Sequence, residues 1–203
     1  MCMKNTSFLL LLTFIGTAAC QSNSSTGASD TTQTSPQAAP TPSQDGPTHA
    51  DSSNITGPVS VSRGDQVFMA AAADAGMTEV KASQAAQQLA SGDRVKQFAA
   101  MMITDHTQAG DKLKAIAQAK NVALPPDVSD AHQRAIDELK QKSGTAFDKA
   151  YMKMMVKDHE GAVHDFEQAA SRVQDSSLKQ FVINTLPTLK MHLDSAKAVE
   201  KGL

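Results

Sequence analysis

FDKAYMKMMVKDHEGAV, residues 147–163, reads as one continuous helix. Phe147, Tyr151, Met155 and Ala162 recur at helical spacing, and nothing in the run alternates as a strand would. Yet Asp158-His159 interrupts its apolar side, and the core of the run, MMVKDH at 154–159, has a near copy in MMITDH at 101–106. An acid and an imidazole thus stand twice beside what otherwise reads as core.

Outward from this run the same pattern holds from Gly64 to the C-terminus. Ala, Gln, Lys, Met and Leu dominate, all good helix formers. Breaks fall at Ser91-Gly92-Asp93, at Asn121 to Ser129 with its Pro125-Pro126 pair, at Ser143-Gly144, and around Gln174-Asp175-Ser176. Thr145-Ala-Phe-Asp148 has capping-box spacing and marks a helix start. The spacing predicts helices over 65–90, 93–120, 146–173 and 176–201, with a short one over 130–142. Each long helix has about 26–28 residues and spans about 40 Å. Matched lengths, two tight turns and one long central connection predict an all-α, ferritin-like four-helix bundle with a short extra helix in that connection. Pro187 is expected to kink the last helix or to start a new segment.

The runs GMTEVKASQAA, FAAMMITDHTQAGDKLKAIA, VALPPDVSDAHQ, GTAFDKAYMKMMVKDHEGAVHDFEQAA and LPTLKMHLDSAKA together resemble the bacterial domain-of-unknown-function family numbered 4142. The resemblance covers about residues 64–200. It implies a ferritin-like helical bundle on exported proteins, often lipoproteins, and carries no established activity.

Placing residues at about 100° each puts Asp105 in the apolar arc of Phe98, Met102, Ala109 and Ile116, with His106 at its edge. Asp158 likewise falls among Tyr151, Met155, Ala162 and Ala169, with His159 at the border. Glu79 is centred among Phe68, Ala72, Ala75, Ala82 and Ala86, and His192 lies among Leu178, Phe181, Leu189, Ala196 and Val199. All sit near the midpoints of their helices, so the bundle should gather Glu79, Asp105, His106, Asp158, His159 and His192 at one level.

Buried carboxylates must be protonated, paired, hydrogen-bonded or bound to a cation. Two readings follow: a hydrogen-bond network that fixes helix register, or a transition-metal site for iron, manganese, zinc or copper. The ferritin-type Glu-x-x-His spacing is missing, since Asp and His are adjacent and diverge, which argues against a di-iron oxidase. Met101, Met102, Met152, Met154, Met155 and Met191 lie near the histidines in sequence. They suit adaptable core filling, or thioether ligation of Cu(I). His49, His132 and His164 are expected to be solvated, and the chain has no phosphate loop, mature cysteine nucleophile or nucleophile elbow.

The N-terminus gives an address. Lys4, the apolar FLLLLTFIG at 8–16 and Thr17-Ala18-Ala19 before Cys20 read as a signal peptide over 1–19. TAAC resembles the bacterial lipobox, which implies cleavage before Cys20 and a lipid on its thiol. Cys2 lies in the removed segment, so no cysteine pair remains for a disulfide. Gln21 in place of the inner-membrane retention Asp implies the outer membrane, facing the periplasm. Residues 20–62, rich in Ser, Thr, Pro, Gln and Gly, read as a disordered tether, and 63–203 as the folded domain. A formal net charge of −2 with mixed signs offers no footprint for nucleic acid. The expected protein is a membrane-anchored envelope lipoprotein that binds other envelope components without catalysis, or else a metal storage or redox-protection module.

Overall fold

The computed structural model describes residues 61–203. The expected signal peptide, Cys20 and nearly all of the expected tether lie outside the described residues. Five helices follow in order: α1 Arg63–Leu89, α2 Asp93–Ala119, α3 Asp130–Lys140, α4 Gly144–Arg172 and α5 Ser176–Glu200. No strand occurs among the described residues, and none of these helices is long and apolar enough to cross a membrane.

Local chemistry sets the ends. The Ser62 hydroxyl accepts from the Asp65 backbone N–H, and the Asp175 carboxylate from that of Leu178, so α1 and α5 begin on side-chain caps. Ser129 caps α3 in the same way. Gly144 takes φ +58° as α4 starts, a conformation glycine adopts without strain.

Two hairpins, α1–α2 and α4–α5, pack side by side, with α1 against α4 and α2 against α5. End-to-end contacts give the directions. Ser91 at the end of α1 bonds Asp148 at the start of α4, and Asp65 at the start of α1 accepts from Gln174 and Asp175 after the end of α4. Lys120 after α2 pairs with Asp175 before α5, and Arg94 at the start of α2 reaches the Ala198 carbonyl at the end of α5. Both neighbouring pairs are therefore antiparallel, and α2 runs parallel to α4. The connection from 120 to 143 must return along the length of the bundle, the ferritin-like crossover that the long central segment predicts. Its helix α3 rests on α1 and α4.

Two expectations change. Asp148 does not cap its own helix: Ser143 occupies the N-cap without a side-chain bond. Instead the buried Asp148 carboxylate accepts from Ser91 N, Ser91 Oγ and Gly92 N, at 3.0, 2.6 and 2.9 Å, and so clamps the α1–α2 turn. Asp65 does the same for the α4–α5 turn at the opposite end. Pro187 does not end a segment either, since α5 continues through it. The carbonyl it leaves without a helical donor belongs to Ile183, a residue 48% exposed, where water can satisfy it.

The apolar core has two parts. One, near the α1–α2 turn, is built on Val95, Met102, Phe147, Tyr151 and Met155; the other, near the α4–α5 turn, on Met69, Leu113, Phe166, Leu178 and Val182. Each fully buried Met or Leu among them contributes about 1.5–3 kcal/mol. Between the two parts lies a layer of polar side chains.

Candidate metal centre

Glu79, His106, His159 and His192 form that layer, one from each long helix, and all four are buried, with His159 at 0% exposure. The three imidazoles stand almost as an equilateral triangle, with ring centroids 5.5, 5.2 and 5.4 Å apart. One ring nitrogen of each lies within 4.8 Å of the other two.

The acid and imidazole of each repeated Asp-His pair exchange the places expected for them. His106 and His159 turn inward, while Asp105 remains about a third exposed and Asp158 is only partly buried. The reason is helical register. His106 follows Met102 by four residues and His159 follows Met155 by four, so each stacks beneath a methionine that is 0% exposed. The buried arcs also extend to Val95, Leu113 and Ala117 on α2, and to Asp148, Met152 and Phe166 on α4, because each helix packs against two neighbours. That draws the centre of each face toward its histidine.

Every histidine spends one nitrogen on a fixed acceptor. His106 Nδ1 lies 2.9 Å from Glu79 Oε2, His159 Nδ1 donates to the Met155 carbonyl at 2.9 Å, and His192 Nε2 is 2.9 Å from Asp105 Oδ2. Carbonyl and carboxylate oxygens only accept, so these nitrogens carry the protons. The other nitrogens, His106 Nε2, His159 Nε2 and His192 Nδ1, are buried and have no hydrogen-bond partner in the protein. The remaining carboxylate oxygen of the layer, Glu79 Oε1, sits 3.3 Å from His159 Nδ1 but accepts no bond, because that hydrogen goes to Met155.

The electrostatics separate the three rings. Burial opposes charge on both Glu79 and His106, but their mutual attraction outweighs it: the Glu79 carboxyl is held below its ordinary range and the His106 imidazole above. For His159 and His192 burial prevails, reinforced by the neighbouring histidines, and both are pushed toward the neutral form. Burial, with Glu79 nearby, pushes Asp158 up to about 6. One turn away Tyr151 and Ser83 share a buried hydrogen bond of 2.7 Å, which closes the apolar part above the layer.

Three imidazoles, two of them pushed toward the neutral form and each oriented by an oxygen acceptor, could hold a transition metal once His106 has given up its extra proton. Metal–nitrogen bonds of about 2.0–2.1 Å hold three ligands about 3.3–3.6 Å apart, so nitrogens that lie within 4.8 Å of one another would draw together on an ion. Carboxylates are absent from the converging set; Glu79 and Asp105 stand behind it and orient the rings. In the hydrogen-bond-network reading of the sequence Asp105 accepts from His192, as it does here, whereas the pairing of Glu79 with His106 lies in a contact between helices that the sequence does not show.

Fold and layer together define the class: a ferritin-like helical bundle with a tri-histidine centre in the middle of its core. The chain belongs to the family described as Domain of unknown function (DUF4142), which matches residues 50–199. No curated protein matches it significantly in sequence. Among solved structures it is similar to a DUF305 fragment from Deinococcus radiodurans, at TM-score 0.63 and 10% identity, covering 70% of this chain and 99% of that one. It is also similar to CopM in the Cu(I)-bound form, at TM-score 0.58 and 16% identity, covering 68% and 96%. At these identities the likeness is one of fold.

Proposed function

We propose that the domain binds a transition-metal ion at His106, His159 and His192, and that copper is the metal it takes first. The observation that carries this reading is a set of three buried imidazoles with ring nitrogens within 4.8 Å of one another, each ring having one nitrogen without a protein partner. A hydrogen-bond network built only for register would satisfy those atoms, as buried polar groups normally are. An all-imidazole set favours copper or zinc over the oxygen-seeking magnesium, calcium and manganese. The shared fold with a protein seen in a Cu(I)-bound form supports copper, as does the placement of His106 and His159 beneath buried methionines. The N-terminal reading places this module on a lipid at Cys20, on the periplasmic face of the outer membrane, where it would sequester or buffer the ion.

The test is anaerobic titration of the chain, freed of metal beforehand, with Cu(I) against a competing chelator, and with Zn(II) in parallel. Uptake of one Cu(I) per chain, weakened at least a hundredfold by His159→Ala, is expected. Undiminished affinity in the single His→Ala variants would refute the site.

A further inference from the structure

The three unpartnered nitrogens, His106 Nε2, His159 Nε2 and His192 Nδ1, are buried, so an ion reaches them only if some contact gives way. The three acceptors that hold the rings differ in access. Glu79 and Met155 are buried, whereas the Asp105 carboxylate is about a third exposed. Asp105 thus touches water on one side and His192 Nε2, at 2.9 Å, on the other.

The two junctions between the hairpins also differ. Helix α3 rests on both α1 and α4, whereas no described helix bridges α2 and α5. Asp105 and His192 meet across that second, uncovered junction. Helical register brings two thioethers to it. On α5, Lys190 and Lys197 pair with Glu167 and Glu160 of α4, while the Ala198 carbonyl accepts from Arg94 of α2. Met191 precedes Ala198 by seven residues and so lies on the α2 side of α5, 42% exposed. On α2, Met101 precedes Asp105 by four residues and shares its face.

We infer that the ion enters and leaves between α2 and α5, with Asp105 as its first ligand and Met191 beside it. This port rests on the metal reading and adds to that site its means of exchange. The Asp105 carboxylate gives up the His192 N–H for the incoming cation, and the freed ring swings aside to admit it. The proton stays on His192 Nε2, and Nδ1 then turns to the ion. A carboxylate draws a cation from solution, and a thioether suits Cu(I) in particular. Another approach, beneath the crossover between α1 and α2, also ends at His106. Its walls are chiefly apolar, and of its outer charged residues, Lys81, Asp111 and Lys114, two are cationic.

The test times Cu(I) loading of the metal-free full chain and release from the loaded one, anaerobically, by stopped flow. A coloured Cu(I) chelator serves as donor in one direction and acceptor in the other. Asp105→Asn keeps an amide oxygen for His192 but no charge for the ion. It should load about tenfold more slowly, with release changed by less than about threefold. Lys81→Ala unties the crossover from α1 and should load at the unaltered rate. If Asp105 only orients His192, its loss appears as faster release with loading unchanged, and that result overturns the proposal. So does loading about tenfold faster in Lys81→Ala, which puts the route beneath the crossover. If Asp105→Asn loses its helical circular dichroism, Met191→Leu is read in its place, with slower loading expected and an unchanged rate overturning the port. Failure of the unaltered chain to take up Cu(I) overturns the metal reading and the port together. Intact uptake with equal loading by Asp105→Asn overturns the port alone.

Discussion

His106 Nδ1 stands 2.9 Å from Glu79 Oε2, and this pair joins α2 to α1 with both side chains more than nine-tenths buried. Asp105 stands at the same distance behind His192, but it is 33% exposed and partly solvated. The two acids therefore serve one purpose in different surroundings. Glu79→Gln should weaken metal binding about 10–100-fold, the usual cost of losing a partner behind a ligand. Asp105→Asn should weaken it about threefold to tenfold, because water can replace part of its role. Competition titrations of both variants check the order, and a larger loss in Asp105→Asn would contradict it.

Metal uptake should release protons. The raised His106 value means that the folded, metal-free domain holds that proton to higher pH than the unfolded chain does. Its contribution to metal-free stability is full below the ordinary histidine value of 6.5 and fades as pH rises through the raised one. A metal must displace that proton, so affinity should increase with pH through the same interval, with protons expelled on binding below it. Proton release in weakly buffered solution measures it, and a pH-independent affinity would contradict it.

Asp158 contributes with the opposite sign to a paired acid. Its value is pushed up to about 6 from the ordinary 3.8, so folding favours the protonated form. The cost to stability is absent below 3.8, grows as pH rises, and is complete above about 6. Asp158→Asn should therefore raise the melting temperature of the metal-free protein at pH 8 by about 2–4 °C, a gain moderated by partial solvent screening. At pH 3.5 it should change little. Equal shifts at both pH values would show that charge is not the cause.

The clamps at the two ends should govern stability while leaving the centre intact. Asp148 accepts three hydrogen bonds from the α1–α2 turn and Asp65 receives the backbone of the α4–α5 turn. Asp148→Ala strands those donors and should cost about 2–4 kcal/mol in denaturant unfolding. Metal stoichiometry in the variant that remains folded should not change.

The helices were readable because their breaks are chemical: Ser91-Gly92, Pro125-Pro126 and Ser143-Gly144 cannot continue long amphipathic runs. The height of the polar layer was readable too, since Glu79 and His192 occupy the middle of apolar stripes. What the sequence misplaced was the rotation of α2 and α4. Asp105 and His106 are one residue apart, and so are Asp158 and His159; which of each pair faces inward depends on where the neighbouring helices press. The apolar stripe is too broad to settle that by itself. Asp148 illustrates the same limit, because its capping-box spacing is local whereas its partners Ser91 and Gly92 lie on the other hairpin.

The division of the imidazoles between hairpins has a mechanical consequence. His106 comes from the first hairpin, and His159 and His192 come from the second, with the long crossover as the covalent link between them. An ion held by all three would rivet together two halves that the backbone joins only loosely. If copper is that ion, its scarcity would leave the halves unriveted and readier to part, exposing the seam to proteases, so the protein's lifetime would itself register the supply of the metal.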